Sequence, residues 1–259
     1  MKIDYFAAVQ RLTLLDDLFM TAVFENDTEL TEFVLKIILG REFRVKSVRV
    51  QDPITNLKGR SVRLDIHAES ADGKQFNIEI QRQDKGAGVK RARYNSSMID
   101  ANTLLAGEDF AALPETYVIF ITERDVLKLG EPIYFIERVI VGKDKLFNDE
   151  AHIVYVNNSI QDDTPLGRLM HDFSCADPDK MSYKIFADKI GEQKRNKEKV
   201  KKLAGVMEEL VNEAMFDTAK KMLAESELSI EKIASICELP FEKVQELKES
   251  ISVQPKGTT

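Results

Sequence analysis

Asp65, Glu79 and Gln81 are the residues of this chain whose types and spacing suit chemistry. They lie in VRLDIHAESADGKQFNIEIQRQ, residues 62–83, where apolar and polar residues alternate over 62–69 and again over 74–82. Alternation with period two marks strands, and Ala71-Asp72-Gly73 between them is turn chemistry. With a three-residue loop and Gly73 in the left-handed conformation, Ser70 pairs with Lys74 and Asp65 falls opposite Glu79. Directly opposed residues share a face with Cβ atoms roughly 5 Å apart. Gln81, two residues beyond Glu79, joins that face. A two-residue loop, Asp72-Gly73, shifts the register by one and turns Asp65 away. The three-residue loop is expected.

Two carboxylates so close repel each other unless a proton or a cation lies between them. A hard divalent ion such as Mg²⁺ prefers oxygen ligands completed by water and phosphate. Such an ion lowers the pKa of bound water and screens charge developing on a phosphate. The competing reading is a solvated strand face with spaced acids. His67, two residues after Asp65, shares the face and is expected to be a neutral, hydrogen-bonded neighbour. Gln81 cannot act as a general base, but its amide can orient water. The competing reading for Gln81 is a polar residue at the sheet edge.

The elements that must position these groups can be read in order. Residues 6–24 read as one helix, with Asp16 and Asp17 in its middle. A second helix spans 28–39, with Thr28 as its cap and Gly40 as its stop. Residues 45–52 form a strand that Pro53 ends. Gly86 and Gly88 form a short flexible joint, because no Gly-Lys-Ser/Thr follows to make a phosphate loop. A helix over 89–106 carries Arg91, Tyr94, Met98 and Leu105. TYVIFIT, 116–122, is a near-continuous apolar run, as in a buried central strand. Further strands are expected at 133–140 and 152–158.

Asp65 followed by Glu79-Ile80-Gln81 resembles the core of the PD-(D/E)XK nucleases, and more narrowly their Rpn (recombination-promoting nuclease) and transposase branch. LLDDLFMTAVFEND resembles that branch's opening helix, and VKRARYNSSMIDANTL its helix after the third strand. The resemblance covers roughly residues 12–155. Leu64 replaces the usual Pro, and Gln81 stands at the Lys position. The resemblance implies an α/β restriction-endonuclease-like core: helices, a three-strand meander, a helix and further strands. It implies Asp65 and Glu79 as ligands of Mg²⁺, with Mn²⁺ as a substitute, Gln81 as the group that places water, and an opening acid that assists. Asp16 best matches that acid, with Asp17 the alternative. It also places Arg91 and Tyr94 near the site. Arg91 or Lys90 could replace the positive charge missing at Gln81. The competing reading for Tyr94 is core packing. DNA-phosphate contacts are assigned to Arg82, Lys90, Arg91, Arg93 and Tyr94.

Composition sets the outer bounds. At 259 residues the chain holds one well-buried domain of about 150 residues and a smaller appendage. A hydrophobic content of 43% with 31% charged residues is that of an ordinary soluble protein. No apolar run approaches the ~20 residues of a membrane span, and MKIDYFAAVQRL lacks a signal-peptide core. Cys175 and Cys237 are too few and too far apart for a disulfide framework or a zinc site, so a cytoplasmic setting is expected. The net charge of −7 argues against a wholly basic nucleic-acid binder. Local basic groups remain: Lys58, Arg60 and Arg63; then Arg82, Lys85, Lys90, Arg91 and Arg93; then Lys194 to Lys202.

The expected organisation is a nuclease-like core over 1–176, a charged helical region over 177–227, a small helix-turn-helix-like tail over 228–250 and a disordered end over 251–259. Val200, Leu203, Met207, Leu210 and Ala214 follow 3-4 spacing, which suits packing onto the body or a homodimer through the C-terminal helices. The tail's second helix bears Glu242, Glu246 and Glu249, poor chemistry for reading a major groove. The expected activity is metal-dependent DNA endonuclease cleavage associated with transposition or recombination. The alternative is a catalytically weak or inactive DNA-binding or assembly protein that keeps the fold; a third reading is a structural protein that oligomerises through its helical tail.

Overall fold

The structure is a computed structural model and describes residues 3–82 and 86–253. Lys85 and residues 254–259, expected to be a basic group and part of a disordered end, lie outside the described residues. The chain divides into two compact units, one of Gln10–Lys197 and one of Met1–Val9 with Glu198–Thr259.

The larger unit is a mixed α/β structure. The helix expected over 6–24 is two helices, α1 (Tyr5–Arg11), whose residues 5–9 are assigned to the smaller unit, and α2 (Asp17–Phe24). Thr13 and Asp16 cause the break: Asp16 Oδ2 accepts the Thr13 amide at 2.8 Å, and Thr13 Oγ1 accepts the Leu15 amide at 3.3 Å. Side-chain oxygens that take backbone donors compete with the helix. In α3 (Thr28–Leu39) the cap is Asp27, one residue before the expected Thr28, and its carboxylate accepts the Leu30 amide. Gly40 ends α3 at φ 68°, the left-handed position that glycine takes without strain.

Three antiparallel strands follow: β1 (Val45–Ile54), β2 (Val62–Ser70) and β3 (Gln75–Gln81). β1 runs through Pro53 instead of ending there. It is an edge strand, where proline is tolerated. Helix α4 (Val89–Thr103) leads to β4 (Thr116–Thr122), which pairs parallel to β3. β5 (Ile133–Ile136), β6 (Val139–Ile140), β7 (Lys145–Leu146) and β8 (Ala151–Asn157) complete the strands. The strand expected over 133–140 is thus divided: β5 joins the sheet, and β6 pairs with β7 in a separate hairpin. The six-stranded order is β1-β2-β3-β4-β8-β5, with β4 and β8 also parallel. All seven residues of β4 are buried, as the apolar run TYVIFIT requires of a strand covered on both faces.

On one face of the sheet, Ala92 of α4 packs with Val118, Phe120 and Tyr155. Phe76 faces the other way from Asn77 and packs edge-on against Phe43 at 4.8 Å. Helices α5 (Pro165–Ser174) and α6 (Lys184–Arg195) complete this unit, so it runs beyond the boundary expected at 176. Two buried polar groups explain why. Asp172 accepts the amides of Ser182 and Tyr183 at 2.7 and 2.9 Å. Lys194, read in the sequence as part of a solvated basic run, is buried in α6. Its ammonium donates to the carbonyls of Gln10, Leu12 and Ala176 at 3.0, 2.6 and 2.6 Å.

Burial holds the Lys194 ammonium down to a pKa of about 8. The folded state therefore releases this proton at lower pH than the unfolded chain, and stability rises as pH climbs through about 8 toward the unfolded value. Urea midpoints of the wild type are expected to increase between pH 8 and 9.5. Lys194→Met removes the titrating group and should flatten that rise. An unchanged slope in the variant would show that Lys194 is not its source.

The smaller unit contains α7 (Lys197–Glu225) apart from its first residue, α8 (Ile230–Ile236) and α9 (Phe241–Val253). Ser229 caps α8 by accepting the Lys232 amide. Ile233, Ala234, Cys237 and Val244 form its small core with Ala219. Along the expected stripe of α7, Val200 and Leu203 are buried, whereas Leu210 and Ala214 are exposed.

Candidate active site

The hairpin between β2 and β3 sets the site. Gly73 has φ 87°, and the Ser70 amide donates to the Lys74 carbonyl at 3.0 Å. This is the three-residue loop expected from the sequence. Ile66 pairs with Ile78 and His67 with Asn77. One further step in that register sets Asp65 opposite Glu79. Each carboxylate reaches the other's strand: Glu79 Oε1 lies 3.4 Å from the Asp65 amide, and Asp65 Oδ2 accepts the Ile80 amide at 2.9 Å. Glu79 is fully buried and Asp65 is 7% exposed.

Burial, followed by the adjacent Glu79 charge, pushes the Asp65 carboxyl up to about 7. Burial also raises Glu79, against the opposing pull of its hydrogen bond from Asn77 and of the Arg91 charge. The site therefore carries more negative charge than its surroundings stabilise. A hard dication would relieve that excess, and the oxygen donors fit one. Among the described residues no group of three or more His, Cys, Asp or Glu side chains gathers as a metal cluster. Two carboxylates completed by water and substrate phosphate is the ligand pattern of Mg²⁺ rather than of a closed structural metal site.

Around the pair, Arg91 of α4 donates from Nη2 to Glu79 Oε2 at 2.6 Å and from Nη1 to the Gly86 carbonyl at 3.0 Å. Gln81 Nε2 lies 3.5 Å from Asp65 Oδ2. Glycine at 86 leaves room for the Gln81 side chain in this position: a Cβ there would overlap Gln81 Oε1 and push the amide aside. Gly86, expected to be a flexible joint, thus serves close approach.

The opening acids take different places. Asp16 accepts from Thr13 and pairs with Arg82, its Oδ1 3.1 Å from Nη1. That pairing uses both Asp16 and Arg82 in holding the turn before α2. Asp17 is the acid whose charge raises both Asp65 and Glu79. After burial and the closer partners, the Asp17 charge adds a smaller upward push on both carboxyls.

The other expected residues separate clearly. Lys90 and Arg93 are exposed on α4. Tyr94 donates to the Arg60 carbonyl at 2.5 Å, accepts from Asn56 at 3.2 Å, and packs beside Leu64 and Met98. Its hydroxyl is engaged in holding the loop before β2, so core packing describes it better than a phosphate contact. His67 has Asp52 Oδ2 2.6 Å from Nδ1 and Gln75 Oε1 3.0 Å from Nε2, which makes it a hydrogen-bonded neighbour as expected. Asn77 and Asn95, which sequence reasoning passed over, contact the site directly or through one partner. Asn77 was discoverable as an amide in an otherwise apolar stretch, two residues before Glu79.

A three-strand antiparallel meander, a helix and a parallel fourth strand, with two facing carboxylates on the meander, define a PD-(D/E)XK nuclease-like core. The family model described as "PD-(D/E)XK nuclease family transposase" matches residues 17–164, more than half of the chain, and the chain belongs to that family. The match begins at Asp17. Searches of curated proteins and of solved structures gave no match. Among the described residues no helix is long and apolar enough to cross a membrane.

Proposed function

We propose that this chain is a divalent-metal-dependent DNA endonuclease that hydrolyses phosphodiester bonds in transposition or recombination. The observation that carries the reading is the buried Asp65–Glu79 pair, set face to face by the hairpin register. Asp65 and Glu79 would hold Mg²⁺ or Mn²⁺. When bound, the ion supplies a more acidic water and screens charge on the phosphate. Gln81, beside Asp65, orients the attacking water by its amide. Arg91 supplies the positive charge that Gln81 lacks, because its half-exposed guanidinium lies at the Glu79 carboxylate and can face a phosphate. Asp17 assists as the third acid. Lys90 and Arg93 provide exposed phosphate contacts on the same helix. Asp16 and Arg82 pair with each other at the turn before α2, and the half-exposed Arg82 guanidinium, like that of Arg91, can face a phosphate.

Neutral Gln81 favours one other reading, a DNA-binding or assembly protein that keeps the fold without cutting. A homodimer through the C-terminal helices fits either reading, with exposed Leu210 on α7 as a candidate contact. The test is direct. Full-length protein is expected to nick or cut plasmid DNA with Mg²⁺ or Mn²⁺, to stop on chelation, and to bind DNA less tightly as salt rises. Salt-sensitive binding without cutting under any divalent ion would decide for the non-catalytic reading.

A further inference from the structure

We infer that Asn95 and Asn77 form a buried positioning relay that fixes Glu79 for metal binding; this inference rests on the metal-site reading above. Asn95 Nδ2 donates to Asn77 Oδ1 at 3.0 Å, and Asn77 Nδ2 donates to Glu79 Oε1 at 2.9 Å. The direction of the relay is set at its end. Every group that meets Glu79 there, the Asp65 amide, the Asn77 amide and the Arg91 guanidinium, is a donor. The Asn77 NH₂ must therefore face Glu79, which turns its carbonyl oxygen toward Asn95.

Neither asparagine is where local preference would put one. Asn77 is fully buried in a central strand, where asparagine is disfavoured. Asn95 is 1% exposed in the interior of α4, where asparagine is a poor helix former. Asn95 Oδ1 also lacks a hydrogen-bond partner among the described residues, so the pair is not optimised for stability. Residues that break local preference at a site concentrate where function requires them.

The two side chains that hold Glu79 differ in freedom. The Arg91 side chain is 39% exposed and can turn to a phosphate, whereas Asn77 has no exposed surface, and its Nδ2 has the Ile66 carbonyl, at 3.5 Å, as a second and longer contact. The relay is thus the constant support that keeps Oε1 oriented while Oε2 changes partner. Outer groups of this kind typically set metal affinity by 10–100-fold.

Mn²⁺ binding to the full chain, followed by electron paramagnetic resonance titration, tests the relay. Asn77→Val keeps a similar volume with a good strand former but leaves Glu79 Oε1 and the buried Asn95 amide without that partner, so it should melt below the wild-type temperature without metal yet stay folded. It is expected to bind Mn²⁺ about 10-fold more weakly. Asn95→Leu should weaken binding in the same direction. The double variant should cost no more than Asn77→Val alone, because the two act in series. Unchanged Mn²⁺ affinity in Asn77→Val, or full additivity in the double variant, overturns the relay. If Asn95→Leu does not fold, Asn77→Val alone decides. Asp65→Asn is the control: if it too leaves Mn²⁺ affinity unchanged, the metal-site reading fails, and not the relay alone.

Discussion

Asp65→Asn is expected to abolish DNA cutting while making the metal-free protein more stable at pH 8. Loss of a proposed metal ligand should lower the rate by more than the roughly 100-fold typical of an outer-shell group. The stability gain follows from linkage. Burial and Glu79 hold the Asp65 carboxyl at about 7, above its ordinary 3.8. The folded state therefore binds this proton more tightly than the unfolded chain. Its contribution is fully present below pH 4 and is lost as pH rises through 7. At pH 8 the wild type bears the cost of two buried charges, and asparagine bears one fewer. Its amide oxygen can still accept the Ile80 N–H that Asp65 Oδ2 accepts now. The difference amounts to a few kcal/mol, or roughly 5–10 °C in melting temperature for a unit of this size. Between pH 8 and pH 5 that advantage should shrink as Asp65 takes up its proton. Saturating Mg²⁺ should raise the wild-type melting temperature and leave the variant unmoved. A variant that melts lower than wild type at pH 8, or that still responds to Mg²⁺, would remove the electrostatic basis of the proposed site.

The hairpin was legible because two independent local signals agree on it. Alternation over 62–69 and 74–82 selects the strand faces, and Gly73 selects the loop, so the register that opposes Asp65 to Glu79 follows without tertiary information. TYVIFIT was legible for a similar reason, since an unbroken apolar run has no solvent face to offer. What local pattern could not show is which distant groups come to meet a polar side chain. Lys194 reads as one more charge in a basic run. It is buried because carbonyls near residues 10 and 12, far away in the chain, supply its partners. Arg91 and Asn95 are four apart on one helix and so share a face. Nothing in their spacing says that this face covers Asn77 and Glu79. The break between α1 and α2 was lost in the continuous apolar pattern of 6–24. It depends on Thr13 and Asp16 bonding to the backbone instead of to water. That break is what makes Asp16 a turn residue and puts Asp17 first in α2.

Arg91 carries the second large expectation, because it is the partner of Glu79 and, in the proposed function, also the cation offered to the phosphate. Arg91→Met leaves the fully buried Glu79 without its countercharge. Removing one member of a fully buried pair costs about 3–5 kcal/mol when the other stays charged, and the half-exposed Arg91 guanidinium makes the cost here smaller. Glu79 escapes part of that cost by taking up a proton, so the loss should be largest at high pH and smaller near pH 5. The double variant Arg91→Met/Glu79→Gln has no unpaired charge to hold and should regain most of the stability at pH 8. Neither variant should cut DNA, the first because the site loses its cation, the second because it also loses a metal ligand. DNA binding separates the two roles of Arg91. If the guanidinium turns to a phosphate in the complex, Arg91→Met should lower the slope of log K against log salt by about one contact. Glu79→Gln should not lower that slope, since it frees Arg91 from its carboxylate partner. Equal slopes for wild type and Arg91→Met would confine Arg91 to pairing with Glu79, and Lys90 and Arg93, both exposed on the same helix, would be left to meet the DNA.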